Sequence, residues 1–460
     1  MSDLDRISFG TDGWRDRREE FTKERVIAVG DAFVSYLIEE GHTDAPIAVG
    51  YDARAGADEI AEQLAECATN AGFDVWLADR DCPTPALAST VSEFELAGGF
   101  MVTASHNPPT YHGIKVIPHG GAPAMPAVTD RLEETIADGP PEPVGATGEI
   151  EPFDYVDFHI ETILERLELD LDGLSVAYDA MHGSGRGVTD VILENAGASV
   201  TRLRCTQEEA FGGTPPEPDA ENLEELIDTV DGDEVDLGIA NDGDADRVAI
   251  VTPEGYLDFN VAFAIIYDYL LEDDSGPVVR SVSTTFLLDR IAEDNGEDVI
   301  ETPVGFKWIA EKIGQVDALL GGEDSNGLTI RGHVREKDGA LVGALAAAIH
   351  HEQPLTDRAA DLFDRYGEIF HVTKNVDCPE SRKQPVLAVI AEDPPNSFDE
   401  IAVERTSDVD GRKFFLEDGS WVLVRPSGTE EKLRVYAESK SERRADSIAT
   451  EAATHLESLV

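Results

Sequence analysis

Strand-like and helix-like segments alternate along this chain, and that rhythm restricts the fold more than any other feature. Pro46-Ile47-Ala48-Val49-Gly50 precedes a helical stretch from Ala57 to Ala71, and Asp74-Val75-Trp76-Leu77 follows. The order returns in Leu174-Ser175-Val176-Ala177-Tyr178, a helix near Gly187 to Ala196, and Ser199-Val200-Thr201. Such alternation argues βαβ units and mostly parallel sheets. A chain of 460 residues is too long for one hydrophobic core, so three or four domains are expected. The Pro-, Gly- and Glu-rich stretch from Asp138 to Pro152 reads as a first linker, with further boundaries near Thr252 to Leu257 and Arg365 to His371. The expected domains are therefore 1–145, 146–254, 255–366 and 367–460. The first three are α/β units of similar size, which suggests a duplicated domain. The last carries short strands, a loop at Asp393-Pro394-Pro395-Asn396 and a terminal helix from Glu442 to Leu459.

Charge narrows the function classes. There are 94 acidic residues against 36 basic ones, a formal net charge of −58, and only ten of the basic residues are lysines. Such a surface repels nucleic acid and anionic lipid, so neither is an expected partner. With 41% hydrophobic residues the chain has enough apolar material to form cores, so the charge does not signal disorder. The expectation is a halophilic protein whose self-repulsion is screened over about 3 Å at 1 M salt. Melting curves from dilute to molar KCl should rise with salt, and undiminished stability in dilute buffer would refute this. Cys67, Cys82, Cys205 and Cys378 show no C-x-x-C spacing and read as small core residues. The start, Met1-Ser2-Asp3-Leu4-Asp5-Arg6, lacks a signal pattern, and no run of about 18 apolar residues occurs. A soluble, cytoplasmic protein is expected.

Four motifs carry chemistry. Ser105 lies in Thr103-Ala104-Ser105-His106-Asn107-Pro108, after the apolar run Leu96 to Val102. Asn-Pro cannot continue a strand, so the serine is expected on a turn at a strand's carboxyl end, where open α/β sheets bind ligands. Asn241-Asp242-Gly243-Asp244-Ala245-Asp246-Arg247 lies between two apolar strand-like runs. Alternating carboxylates on a short loop can converge on a hard cation such as Mg²⁺. An EF-hand is excluded, since Arg247 and Pro253 stand where its Gly and Glu belong. Gly321-Gly322-Glu323-Asp324-Ser325-Asn326-Gly327 suits hydrogen bonding to vicinal sugar hydroxyls, as plain turns also would. Arg425-Pro426-Ser427-Gly428-Thr429, with Arg434 in the next strand, suits a phosphate cradle. Scarcity of lysine also singles out Lys115, Lys307 and Lys337.

Taken together these residues resemble the α-D-phosphohexomutase superfamily, which contains phosphoglucomutases and phosphomannomutases. The resemblance covers nearly the whole chain, in the family's order. Phe9-Gly10-Thr11-Asp12-Gly13-Trp14-Arg15 resembles the opening motif, and Phe211 to Pro218 with Asn222-Leu223 an inter-motif stretch. It implies three related mixed α/β domains plus a smaller α+β C-terminal domain around a central cleft. It implies that phosphorylated Ser105 donates to a hexose monophosphate and recovers a phosphoryl group from the bisphosphate formed. Asp242, Asp244, Asp246 and Ser105 would hold Mg²⁺, with Arg15 and Arg247 assisting electrostatically. Glu323 and Ser325 would bind sugar hydroxyls; Arg425, Ser427, Gly428, Thr429 and Arg434 would bind the non-reacting phosphate. Lys115, with His106 behind it, is the expected general acid/base. Lys337, with His333 behind it, is the second candidate. Asp16 stands where the family has Gly, and Ala55-Gly56-Ala57 replaces a Ser-bearing stretch.

The expected activity is an Mg²⁺-dependent intramolecular phosphotransfer between hexose 1-phosphate and hexose 6-phosphate, with glucose ahead of mannose. Glucose 1,6-bisphosphate would serve as activator and intermediate, hexose phosphates as the partners, and a monomer or homodimer as the assembly. The alternatives are a phosphoglucosamine mutase of the same family, a serine-dependent phosphate hydrolase, and a non-catalytic sugar-phosphate binding protein.

Overall fold

The computed structural model describes residues 3–460 except 11, 139–146, 209, 233 and 429. The helix Ala57–Asn70 shows how the elements arise. Its buried residues Ala57, Ile60, Ala61, Leu64, Ala65 and Ala68 recur at helical spacing and form one apolar stripe against the first sheet. The strand Ile47–Tyr51, by contrast, is apolar and buried on both faces, as a parallel strand covered by helices must be.

Four sheets follow along the chain. The first runs, edge to edge, Trp14–Arg17, Tyr111–Pro118, Gly98–Val102, Ile47–Tyr51, Val75–Ala78 and Ile150–Phe153. The second runs Gly255–Tyr256, Val248–Thr252, Leu237–Asn241, Ser175–Asp179 and Ser199–Leu203. The third runs Gly327–Ile330, Leu320–Glu323, Val278–Ser281 and Val299–Thr302. The expected start of the second domain at 146 lies outside the described residues. The strand after it, Ile150–Phe153, pairs in parallel with Val75–Ala78 and so extends the first sheet, not the second. Likewise Gly255–Tyr256 folds back on Val248–Thr252, so the second sheet runs past 254.

Each of the three sheets repeats one plan. A central strand has a parallel neighbour on each side, and the later neighbour turns sharply into an antiparallel return strand. The sharp turns are the Ser105 segment, Asp242 to Arg247, and Asp324 to Asn326. Each lies where the strand order reverses, at the carboxyl ends of parallel strands, which is where such sheets bind ligands. Each also contains a non-glycine residue in the left-handed region: Ser105 at φ 49°, Ala245 at 53° and Asn326 at 67°. For ordinary side chains that conformation costs about 1–2 kcal/mol, so the surrounding contacts enforce it.

The fourth sheet is antiparallel: Phe370–Asp377, Lys432–Ser439, Trp421–Pro426, Arg412–Leu416, Ile401–Ser407 and Ser397–Phe398. The helix Glu442–Glu457 packs on it around Ile448, Ala449 and Leu456. One apolar core runs continuously through helices of the first three domains, whereas the fourth has its own. Three α/β domains and an α+β C-terminal domain are the expected fold class. The cysteines are free, three of them buried. Among the described residues no helix is long and apolar enough to cross a membrane.

Candidate active site

Ser105 sits just past the strand Gly98–Val102, with its backbone N–H donating to Thr103 Oγ1 at 2.8 Å. Its hydroxyl donates to Asp242 Oδ2 at 2.7 Å, although 137 residues separate the two. The two loops can come this close because residue 243 is glycine: a Cβ there would lie 2.6 Å from the Ser105 carbonyl oxygen. The His106 ring nitrogen Nδ1 is 3.3 Å from the Ser105 hydroxyl. Burial, with Arg247 and Arg15 nearby, holds His106 well below the ordinary histidine range, so the ring is neutral.

Asp242, Asp244 and Asp246 are buried together, each offering an oxygen within 4.8 Å of the others. Burial, and then repulsion from Asp244 and Asp246, drives Asp242 well above the carboxylate range. Three buried carboxylates demand positive charge. Lys115 supplies part of it, with Nζ 3.1 Å from Asp244, 2.9 Å from Asp246 and 2.8 Å from Asp12. Burial opposes the charge on Lys115, but those three carboxylates outweigh it and hold the ammonium well above its ordinary range. Lys337 Nζ lies 3.2 Å from Asp246 and 3.0 Å from Glu336. Yet Asp244 Oδ1 and Asp246 Oδ1 remain buried without a hydrogen-bond partner. Oxygen-only donors with two orphaned lone pairs fit a hard divalent cation.

Above this cluster opens a cleft of about 1100 Å³ lined by all four domains. Arg15, His106 and Arg247 form its wall over Ser105, which is itself only 1% exposed. Arg15, in the strand Trp14–Arg17, donates to Asn107 at 3.2 Å and Asp12 at 3.0 Å. Arg247 Nε is 3.9 Å from both Asp242 and Asp246. On another wall Glu323 accepts the Gly305 N–H at 2.6 Å. Burial pushes Glu323 up to about 7, against the pull of that N–H and of Lys337. Ser325 lines the same wall, as does Asp324, whose Oδ1 accepts from Ser283 at 2.8 Å. Across the cleft, Arg425, Ser427, Gly428 and Arg434 line the fourth domain's contribution. Lys383 braces that turn, donating to the carbonyls of Ser427 at 2.7 Å and Glu430 at 2.8 Å. Arg434 pairs with Glu430 at 3.0 Å. Thr429 lies outside the described residues.

The raised Glu323 has a consequence for stability. Its folded value exceeds the ordinary 4.5, so its contribution is fully present below about 4.5 and is lost as pH rises through about 7. Glu323→Gln should therefore stabilise the metal-free protein at pH 8.5 by up to about 3 kcal/mol, and change little at pH 5. Equal melting shifts at both pH values would contradict this.

Of the expected residues, Ser105, His106, Arg15, Lys115, Arg247, Lys337 and the three aspartates come together in one cluster. The loops expected to bind sugar and phosphate line the same cleft. His333 does not join them: its Nε2 meets Asp338 at 2.7 Å, and Asp338 also lies 3.1 Å from His159 Nε2. Two residues carry no sequence signal of their own. Thr84 donates to Asp244 Oδ2 at 2.6 Å across 160 residues, and Asp12 pairs with Lys115. Asp12 was visible only as part of the opening motif.

Comparison with known proteins gives this geometry a family. The models for phosphoglucomutase/phosphomannomutase match in order: alpha/beta/alpha domain I over residues 6–141, domain II over 154–255, domain III over 258–366, and the C-terminal domain over 374–455. A curated relative named "Probable phosphoglucosamine mutase" from Methanopyrus kandleri is 35% identical, covering 96% of each chain. One named "Phosphoglucomutase/phosphomannomutase" from Thermococcus kodakarensis is 30% identical, covering 95% of each. The crystal structure of a candidate phosphomannomutase from Thermus thermophilus superposes with a TM-score of 0.84 at 28% identity, covering 98% of this chain and 99% of that one. The hydrolase and the non-catalytic binding protein considered from sequence find no support among these relatives, and the chain belongs to the phosphoglucomutase/phosphomannomutase family of the α-D-phosphohexomutase superfamily, enzymes of the mutase class.

Proposed function

We propose that this enzyme interconverts glucosamine 1-phosphate and glucosamine 6-phosphate through a phosphoserine at Ser105. The observation that carries the reaction type is the Ser105 hydroxyl on Asp242, beneath a cleft whose other walls present a sugar loop and a phosphate loop. Phosphorylated Ser105 transfers its phosphoryl group to the free hydroxyl of the sugar monophosphate, breaking the Ser Oγ–P bond and forming a sugar O–P bond. The bisphosphate turns over in the cleft, and its other phosphate returns to Ser105 Oγ, leaving the isomeric monophosphate. Glucose 1,6-bisphosphate would prime an unphosphorylated Ser105 by the same exchange.

Asp242, Asp244, Asp246 and a phosphoserine oxygen would hold Mg²⁺, whose charge offsets that of the transferring group. Arg15 and Arg247 present further positive charge to the same oxygens. Lys115 and Lys337, both ammonium groups beside Asp246, are placed to give a proton to the departing oxygen, and neutral His106, adjacent to Ser105, is the group with a free site for the hydroxyl proton. Glu323 and Ser325 would grip sugar hydroxyls, while Arg425, Ser427, Gly428 and Arg434 grip the phosphate that is not reacting. That division lets one cleft accept the sugar in either orientation.

Glucosamine replaces glucose as the leading substrate for two reasons. The M. kandleri relative bears that name. Also, Asp324 lines the cleft with no basic partner among the described residues, a setting that favours a cationic 2-ammonium over a neutral hydroxyl. The name of the T. kodakarensis relative keeps glucose and mannose phosphates as the second reading. Rates on glucosamine, glucose and mannose 1-phosphates separate them. Asp324→Asn should cut the glucosamine-over-glucose preference about tenfold, the size of a partly solvated charge contact. A wild type that favours glucose would reject the sugar assignment.

A further inference from the structure

We infer that Asp410 is a positioning residue that ties the phosphate loop of the fourth domain to the sugar loop of the third. This rests on the roles proposed above for Arg425 and Glu323. Asp410 stands in the turn between the strands Ile401–Ser407 and Arg412–Leu416, outside every motif described so far. Its Oδ2 accepts two hydrogen bonds, from Arg425 Nε at 3.1 Å and from the Val304 backbone N–H at 3.1 Å. The next residue, Gly305, donates its N–H to Glu323 Oε1 at 2.6 Å. One carboxylate oxygen therefore stands between the arginine that faces the phosphate and the peptide segment that holds the sugar-facing glutamate.

The geometry suits that task. Among the described residues neither Nη atom of Arg425 has a hydrogen-bond partner, so Asp410 holds one edge of the guanidinium and leaves the other for an anion. The turn itself is pressed onto the strand bearing Arg425: Gly411 has φ 80°, and a Cβ there would lie 2.2 Å from the Val424 carbonyl oxygen. The same hairpin makes a second attachment two residues on. Buried Lys413 donates to the Val282 carbonyl and lies 3.3 Å from Glu301, between the rings of Phe286 and Trp421. Ser283, which follows Val282, is the donor to Asp324. The hairpin thus touches both segments that orient the sugar loop, and a small apolar cluster of Val282, Trp421, Leu423 and Tyr436 closes the joint.

A ligand that engages only Arg425 should feel Asp410 once. One that spans both loops should feel it twice, because displacing the Val304–Gly305 segment also misplaces Glu323. This separates a positioning role from general support of the fold. Calorimetric binding of inorganic phosphate and of glucosamine 1-phosphate to the full-length Mg²⁺ protein would test it. Asp410→Ala should weaken inorganic phosphate about threefold and the sugar phosphate about thirtyfold, the range for a hydrogen-bonded network. In a Glu323→Ala background the same change should weaken the sugar phosphate only about threefold, since the coupled partner is already gone. Asp410→Asn keeps an acceptor for Val304 and should recover most of the sugar-dependent loss, while melting temperatures confirm that each variant is folded. Equal losses for the two ligands, or an undiminished thirtyfold loss in the Glu323→Ala background, would overturn the coupling and leave the proposed reaction intact. A wild type that binds neither ligand would overturn the roles of both loops, and the coupling with them.

Discussion

Ser105→Ala should abolish turnover, lowering kcat by at least about four orders of magnitude while leaving sugar-phosphate binding nearly unchanged. The reason is stoichiometric as much as geometric. In the proposed reaction Ser105 Oγ is the atom that accepts and releases phosphorus, and no other hydroxyl among the described residues lies against Asp242. Thr103 is turned away, its hydroxyl donating to Asp52 at 2.7 Å. Intact mass offers a check independent of kinetics: protein incubated with glucose 1,6-bisphosphate should gain one phosphoryl group, and the alanine variant none. Near-normal turnover in Ser105→Ala would remove the serine from the mechanism.

Loss of the cation should be nearly as severe. Chelation, or Asp244→Asn, should reduce kcat by about three orders of magnitude and change KM for the sugar phosphate by no more than a few-fold. Asp244 has a buried oxygen with no partner, while its other oxygen is occupied by Thr84 and Lys115, so the orphaned atom is the one a cation would take. The titration of Asp242 adds a signed test. In the metal-free fold, burial and its two acidic neighbours keep Asp242 protonated well above the carboxylate range. Binding a divalent cation should therefore release protons, and affinity should rise with pH over the range in which that proton is lost. A variant whose KM rises while kcat is spared would place Asp244 in sugar binding instead.

The periodic segments were readable because they obey local rules. The helix from Ala57 ends within a residue of its expected limit, since a 3.6-residue apolar period and a following Gly72 leave little choice. Ile150–Phe153, read from sequence as the end of a linker, escaped notice as a strand for the opposite reason. Its sequence, Ile-Glu-Pro-Phe, has no strong strand pattern, and a long-range parallel pairing with Val75–Ala78 assigns it to the first sheet. Scarcity of lysine singled out Lys115 and Lys337, both of which lie against Asp246. The family resemblance placed Lys337 ahead of His333, four positions earlier. His333 points instead to the buried Asp338, which also caps the next helix through the N–H groups of Ala340 and Leu341.

Order and chemistry of the motifs were thus written in the chain: a serine on a strand-ending turn, three alternating aspartates, a glycine-bounded acidic loop, and an arginine-flanked Ser-Gly turn. These are short-range patterns, and residue type with spacing suffices to state them. Which groups share a charge, an oxygen or a cleft wall depended on folding, because those contacts join residues more than a hundred positions apart. Thr84 on Asp244, Ser105 on Asp242, and Asp410 on Val304 exist only once separate domains have packed, and burial there sets which carboxylates keep their protons.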